Sequence, residues 1–396
     1  MFFFRKKTDR PQRRVRCLAV TDFKHFCSRN KNCSLKILFR QQETAVYPVS
    51  FIDEESSKPG VCKTHEQYIA SVSKARIIGS SNVIIANKRI IYDLLKGGRF
   101  RITDPGLILR KCHHAEMRAP RRLGMLYFAA YYDFGTSFDK AVSLFGNYSW
   151  NFYHFIYEIA QKFYLIDAAN IPEDIPLLVD AVVKKVPQLN EIFDLLKGNR
   201  KAYFLEELES CRVETLYYPS FVHQIPPNFW DMNKIADEDC YFDGNGLRYL
   251  RSRFLDYAKG VESPLSTQTA NKIFISRKVT QNRSYNEDEL IKIACQYGYT
   301  VVYPEQYSIR EQFALFSQVD SIIAASGAAL SNIVCCKPGC KILVLTSSHW
   351  NLTVFSNIAG HLNLDMEYLC GKTDNPNNVQ SGFVIDAGIF RKVLNK

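Results

Sequence analysis

Two arginines, Arg277 and Arg283, lie in a polar stretch between an apolar run ending at Ser276 and a helical pattern opening at Asn286. Arginine carries a planar fork of donors that matches phosphate oxygens, so two of them beside a helix N-terminus suit a diphosphate. Further along, Ala325-Ser326-Gly327-Ala328-Ala329-Leu330 turns from one apolar run straight into the next helical pattern. Small residues let the backbone approach a ligand closely there, and free N–H groups with the helix dipole favour an anion. Glu305, just past the run Thr300 to Tyr303, is placed to accept hydrogen bonds from ribose or sugar hydroxyls. Plainer accounts stay open: a surface salt bridge from Arg277 to Glu287 or Asp288, and a tight turn at Gly327 that holds nothing.

A second constellation lies upstream, where the aromatic-rich segment from Asn147 to Glu158 opens a helical pattern. His154 and Glu158 are four residues apart and share a helical face. Histidine exchanges a proton near neutral pH, and a carboxylate one turn away can orient it and raise its basicity. A general base acting on a hydroxyl is one reading; a hydrogen-bonded histidine packed on a core helix is the other.

Other chemistries find little support. The one Asp-x-Asp match, Asp237-Glu238-Asp239, does not follow an apolar strand and reads as a solvated acidic loop. Cys112-His113-His114 and Cys335-Cys336 lack paired zinc spacing, so no metal and no cofactor is expected. The spaced glycines of a dinucleotide fingerprint are missing, which disfavours a nicotinamide or flavin enzyme.

The elements that must carry these groups follow a repeating pattern in the last third of the chain. Strand-like runs at Ile273 to Ser276, Thr300 to Tyr303, Ser321 to Ala325, Lys341 to Thr346 and Met366 to Cys370 alternate with helical patterns. Those helices are expected at Asn286 to Tyr297, Ser308 to Val319, Ala328 to Cys336 and Asn351 to Leu362. Asn286 with Glu289, and Ser308 with Glu311, have capping-box spacing. Such alternation predicts an α/β fold with a parallel sheet covered on both faces, whose ligands bind at the carboxyl ends of the strands.

The Ser/Thr-rich stretch Glu262 to Asn271 sets a domain boundary, giving an N-terminal α/β domain over 1–260 and a C-terminal Rossmann-like domain over 261–396. The amphipathic pattern from Gly244 to Lys259 suits a helix crossing between them. Upstream, strands are expected at Val83 to Ala86, Met125 to Ala130, Ala141 to Phe145, Pro176 to Val179 and Val213 to Tyr218. Helices are expected at Asn151 to Asp167 and Val186 to Leu196, with a further piece near Glu66 to Ser73.

The chain of 396 residues has a formal net charge of +11, concentrated at Arg5 to Arg16 and at Arg110 to Arg122. Basic clusters attract anionic surfaces, and a peripheral contact with an anionic membrane fits them. No nucleic-acid-binding signature accompanies the charge, so nucleic acid is not expected as a partner. No run reaches the roughly 18 apolar residues needed to span a bilayer. Twelve cysteines without a paired framework favour reduced thiols and a cytoplasmic protein.

Taken in order, the motifs resemble glycosyltransferase family 61, which includes plant xylan arabinosyl- and xylosyltransferases, animal O-linked N-acetylglucosaminyltransferases and many bacterial capsule or lipopolysaccharide enzymes. The resemblance runs through Asn147-Tyr148 and Tyr153-His154-Phe155, Ile275-Ser276-Arg277 with Asn286-Glu287, and Val301-Val302-Tyr303-Pro304-Glu305. It continues with Gln312-Phe313, Phe316-Ser317, Ser326-Gly327-Ala328-Ala329-Leu330-Ser331-Asn332 and Pro338-Gly339. Many members have His before the Gly-Ala turn, where this chain has Ser326.

The resemblance implies the GT-B architecture, two Rossmann-like domains facing across a cleft, and inversion at the anomeric carbon without a metal. It implies a nucleotide-sugar donor, with uridine the commonest base, held by Ser276, Arg277, Arg283, Asn286, Glu305, Ser326, Gly327, Ala328, Ala329 and Asn332. The acceptor, a glycan or lipid-linked glycan of a surface polysaccharide, is expected against Asn147, Tyr148, Asn151 and Tyr153. His154 or Glu158 then serves as catalytic base. Two other classes compete: a silent nucleotide-sugar or glycan-binding protein of the same fold, and a polysaccharide hydrolase, which would need a pair of facing carboxylates.

Overall fold

The computed structural model describes residues 12–52, 54–55, 58–93, 126–146, 148–225, 236–265, 271–277, 283–347, 353–373, 375 and 381–395. Asn147 and the basic clusters at 5–10 and 110–122 lie outside them. The chain divides into two compact units, residues 1–42 with 64–227 and residues 43–63 with 228–396. The helix expected to cross between domains belongs to the second unit, and so does the position chosen from sequence as the boundary.

The first unit contains β1 (Gln12–Asp22) and β2 (Cys33–Phe39); β3 (Glu43–Val46) and β4 (Gly60–Lys63) follow as a hairpin of the second unit. The chain returns with β5 (Gln67–Ile78), β6 (Ile84–Ala86), β7 (Arg89–Tyr92), β8 (Leu126–Leu144), β9 (Leu177–Asp180), β10 (Ala202–Leu205) and β11 (Glu209–Pro219). Strand order is β1-β7-β6-β5-β11-β8-β9-β10, with β2 on β5 and β1 also on β8. Strands β1, β7, β6, β5, β11 and β8 therefore close into a ring, a way of removing exposed edges. Pairings within it are mixed: β5 is antiparallel to β11, while β8 runs parallel to β11 and β9. The first unit thus differs from the wholly parallel sheet of a Rossmann-like domain.

Three local expectations are corrected here. The piece near Glu66 to Ser73 is not helical but the start of β5, where Tyr68, Ile69, Ala70 and Val72 are all buried. The runs expected as two strands around Met125 and Ala141 belong to one strand, β8, whose length lets it serve β1 at one end and β9 at the other. Cys27 and Cys33 are joined in a disulfide between α1 (Phe23–Arg29) and β2, so the cysteines are not wholly without a pair.

The remaining helical segments of the first unit are α2 (Phe152–His154), a π turn (Phe155–Ala160), α3 (Lys162–Ala168), α4 (Ala181–Lys185) and α5 (Pro187–Lys197). The single helix expected over Asn151 to Asp167 is thus broken by a π turn, in which Gln161 N–H reaches Ile156 O at 3.0 Å. Such wide turns hold one extra residue and cluster at functional sites.

In the second unit, β12 (Lys272–Ile275), β13 (Thr300–Val302), β14 (Ser321–Ala325), β15 (Lys341–Thr346) and β16 (Asp365–Cys370) form an all-parallel sheet in the order β13-β12-β14-β15-β16. Runs such as Ile273-Phe274-Ile275 and Ile322-Ile323 are buried, as a sheet covered on both faces demands. The helices are α6 (Gly244–Ala258), α7 (Glu287–Gln296), α8 (Ile309–Gln318), α9 (Val354–His361) and α10 (Ala387–Leu394). The Ser308/Glu311 capping box forms as expected. Ala328–Cys335, expected as α-helix, is a 3₁₀ helix, and its tighter winding ends at Cys336 just before Pro338.

Within this unit the chain order of the strands reverses direction between β12 and β14, the point where open α/β sheets leave a crevice for ligands. The excursion 43–63 covers the opposite edge, Tyr368 N–H of β16 donating to Ser50 O at 2.8 Å and Ile52 N–H to Tyr368 O at 3.1 Å. Asn357 of α9 holds it, accepting from Tyr47 N–H at 3.0 Å and donating to Cys240 O at 3.1 Å.

Gly360 completes this contact, because a Cβ there would land within the Tyr47 ring. Helix propensity alone says that Gly360→Ala should stabilise α9 by up to about 1 kcal/mol. Overpacking against Tyr47 should win, and urea unfolding should show a loss of about 1–3 kcal/mol. A gain in stability would show that the Tyr47 contact is not maintained.

Candidate active site

The switch point of the second unit gathers most of the groups expected to hold an anion. Arg277 leaves the end of β12, its guanidinium donating to Ser326 O at 3.1 Å; Arg283 donates to the same carbonyl at 3.0 Å. Two like-charged forks therefore converge at the end of β14. Burial works against the charge on both, and Arg277 adds repulsion at Arg283. Arg283 also occupies left-handed backbone, with φ of 57°. A non-glycine residue held there is disfavoured by about 1 kcal/mol or more, and such residues cluster at ligand clamps.

Glu287 stabilises the Arg277 side of this arrangement, and its charge lies close enough to act on the guanidinium. Its carboxylate accepts from the Arg277 backbone N–H at 2.7 Å and from Tyr285 Oη at 2.8 Å. A Cβ on Gly327 would touch the Arg277 guanidinium at 3.6 Å, an ordinary contact.

Not every residue expected at the donor site is free to meet a ligand. Asn286 makes no capping hydrogen bond; its amide donates to Ile385 O at 3.0 Å and accepts from Ile385 N–H at 2.9 Å. It acts as a strut tying the Arg283 loop to the C-terminal segment. Asn332 is fully buried and donates to Gln312 Oε1 at 2.9 Å, so it braces the 3₁₀ helix against α8. Ser276 is buried, with its N–H on Val302 O at 3.0 Å. Glu305 is exposed on the short 3₁₀ turn Pro304–Gln306, while Ser326, Gly327, Ala328 and Ala329 are half-exposed.

In the first unit, His154 and Glu158 are brought together as their spacing implies. His154 Nδ1 lies 2.6 Å from Glu158 Oε1, with the side chains 25% and 16% exposed. Burial pushes the Glu158 carboxyl up, but the charge and hydrogen bond of His154, with help from His223 and Lys162, outweigh it and hold the carboxyl below its ordinary value. An ionised Glu158 accepts a hydrogen bond from Nδ1–H and leaves Nε2 of His154 as the basic nitrogen.

Aromatic contacts fix the imidazole plane. Tyr148 stacks on His154 with ring centres 4.7 Å apart and an interplanar angle of 21°, and Tyr153 meets its edge at 5.2 Å. Tyr153, expected at the acceptor, is buried and packs against Tyr157. Asn151 caps the helix, its Oδ1 accepting from Tyr153 N–H at 3.0 Å and His154 N–H at 3.4 Å. Beneath the helix, buried Lys162 donates to Phe145 O at 3.3 Å and faces the rings of Tyr218 and Phe221; burial lowers it to about 8.

Sequence reading missed Asp180, at the end of β9. This fully buried carboxylate accepts from the Ser80 N–H, from Ser149 Oγ and from Gly146 N–H, the last at 3.4 Å. It pins the turn that leads into the His154 helix. Nothing in the sequence marks it, since its partners lie 31 to 100 residues away.

Burial pushes Asp180 up to about 6 from 3.8, with the hydrogen bonds from Ser149, Ser80 and Gly146 acting the other way. A carboxyl raised on folding contributes stability that is full below its unfolded value and lost as pH rises through its folded value. Relative to Asp180→Asn, the wild type should therefore lose up to about 3 kcal/mol between those two pH values. Urea unfolding of both proteins across this range reads the difference; a constant offset would show that the carboxyl does not titrate with folding.

Among the described residues, no group of three or more His, Cys, Asp or Glu side chains is arranged to hold a metal ion. No described helix is long and apolar enough to cross a membrane. No curated protein matches the chain. Residues 152–343 match the family model described as Glycosyltransferase 61, a range that includes His154, Glu158, Arg277, Arg283 and the Ser326 turn. Those residues form a glycosyltransferase family 61 domain, and the protein is a glycosyltransferase.

Proposed function

We propose that the chain transfers a sugar from a nucleoside-diphosphate sugar, by preference a UDP-sugar, to a hydroxyl of a growing surface polysaccharide or glycolipid, with inversion and without a metal. The convergence of Arg277 and Arg283 on one carbonyl at the sheet's switch point carries this reading. A bound diphosphate would offset the lost hydration of the two guanidiniums and screen their mutual repulsion, so the clamp suits a doubly anionic group.

In this reading the second unit holds the donor and the first supplies the base and the acceptor site, the division of labour of a GT-B enzyme. The acceptor hydroxyl gives its proton to Nε2 of His154 as its oxygen attacks the anomeric carbon. The bond from that carbon to the diphosphate oxygen breaks on the opposite face, and the electron pair leaves with the nucleoside diphosphate. Its developing charge is met by Arg277, Arg283 and the backbone amides at Gly327 and Ala328. Glu158 keeps the imidazole in the tautomer that can accept the proton. The exposed arginines of β1, Arg13, Arg14 and Arg16, with the basic clusters outside the described residues, fit a peripheral contact with an anionic membrane surface.

The test separates binding from chemistry. With EDTA present, purified protein should release one nucleotide from a panel of UDP-, GDP-, CMP- and TDP-sugars when given a crude glycolipid extract. Arg277→Ala should weaken nucleoside diphosphate binding by roughly tenfold or more, the loss of a charge-assisted pair. His154→Ala should keep that binding while transfer falls by about 10²–10⁴. Dependence of turnover on added divalent metal would overturn the metal-independent mechanism, and full transfer by His154→Ala would remove His154 as base.

A further inference from the structure

We propose that Lys162 is a positioning residue for the His154–Glu158 pair, a buried cation that keeps the Glu158 carboxylate charged while His154 is neutral and able to act as base; this rests on the reading of that pair as the base of a glycosyltransferase. His154, Glu158 and Lys162 follow one another at intervals of four along the segment that carries the π turn, so each lies about one turn from the next. The His154 and Glu158 side chains are 25% and 16% exposed, whereas Lys162 is buried.

A buried lysine normally sits against a carboxylate, and this one does not. Among the described residues its ammonium makes one hydrogen bond, to Phe145 O at 3.3 Å, and faces the Tyr218 and Phe221 rings at 5.0 and 5.1 Å. Aromatic faces attract a cation without cancelling its charge. Its field therefore extends to the carboxylates around it, Asp93, Glu158 and Asp180, and each of them acts in turn to keep Lys162 protonated against its burial. The hydrogen bond serves the same site, because Phe145 leads into the turn whose Tyr148 stacks on the His154 ring and whose Ser149 is held by Asp180.

The other two cationic side chains near Glu158 lose their charge when it is needed. Burial pushes the Glu158 carboxyl up, and His154, His223 and Lys162 together hold it down. His154 must be neutral to accept a proton from the acceptor hydroxyl, and then contributes no charge. His223, with Nδ1 3.1 Å from Gln161 Oε1, is lowered to about 4 by its burial and is uncharged near neutral pH. Lys162, which burial lowers to about 8, still carries its proton there. In the state that takes up the proton, Lys162 is thus the one of the three that is a cation.

Carbon-13 NMR of the full chain, labelled at Glu Cδ and Lys Cε, tests this against pH. The Glu158 signal, identified by its loss in Glu158→Gln, should titrate about half a pH unit or more higher in Lys162→Met, which keeps the length of the side chain without its charge. Lys162→Arg should keep the wild-type midpoint. The acid limb of the transfer rate should move up with the carboxyl in Lys162→Met and stay in place in Lys162→Arg, a change that lost packing alone would not produce. The Lys162 signal should titrate lower in Glu158→Gln by a similar amount, which reads the same coupling if Lys162→Met does not fold. Equal Glu158 midpoints in wild type and folded Lys162→Met, or an unmoved Lys162 in Glu158→Gln, would overturn the proposal. A carboxyl that moves while the acid limb of transfer stays fixed would instead sink the pair as base and leave the coupling of Lys162 to Glu158 standing.

Discussion

Two guanidiniums sharing one carbonyl oxygen set the terms for the second unit. Unit charges about 4 Å apart repel by about 4 kcal/mol at the effective dielectric of a protein surface, so bringing Arg277 and Arg283 together needs a frame that resists their separation. The frame is visible at each end. Arg277 is held through its backbone N–H by Glu287, at the start of α7. Arg283, in left-handed backbone, leads into Tyr285 and Asn286, which are clasped by the C-terminal segment through the Tyr285–Phe383 stack at 5.2 Å and the paired Asn286–Ile385 hydrogen bonds. The order of the parallel strands puts this frame at the one place where the sheet opens.

The first unit solves a different problem, that of fixing an imidazole. A histidine is useful as a base only when its tautomer and ring plane are set, and here each is set by a different neighbour. Glu158 determines the tautomer through Nδ1, and the π turn carries it on the stretch directly after His154. Tyr148 and Tyr153 hold the plane from the face and the edge. The turn before the helix is tied in its turn to Asp180, a carboxylate whose own burial is unfavourable and is tolerated because it orders three donors from two loops.

How far this was legible depended on how local the determining interactions are. The second unit reads directly from its sequence because its central apolar runs, in β12 and β14, are buried on both faces and helices such as α8 begin with their own cap, Ser308 with Glu311. Arg277, Arg283 and the Ser326 turn follow from that register, as do His154 and Glu158 from their spacing of four. The mixed ring of the first unit does not read so easily: β5 is buried along most of its length, so Tyr68 to Val72 shows no alternation to distinguish it from a helix. The struts were illegible for the same reason. Asn286 looks like a helix cap until Ile385, 99 residues away, is seen to occupy its amide, and Asn332 looks like a ligand residue until Gln312 does the same.

This division between ligand groups and struts follows from the kind of catalysis the site supports. Where a reaction builds charge on a leaving diphosphate, donors help in proportion to how little they must move as that charge appears. Arginine has long side-chain freedom to lose, so a clamp made of two of them works only if the backbone beneath each is already fixed. The polar residues Asn286 and Asn332, bound to Ile385 and Gln312, therefore belong to the same frame as the arginines. The motif residues of such a site divide into those that touch charge and those that prevent motion, and only the hydrogen-bond partners found in the folded chain tell the two apart.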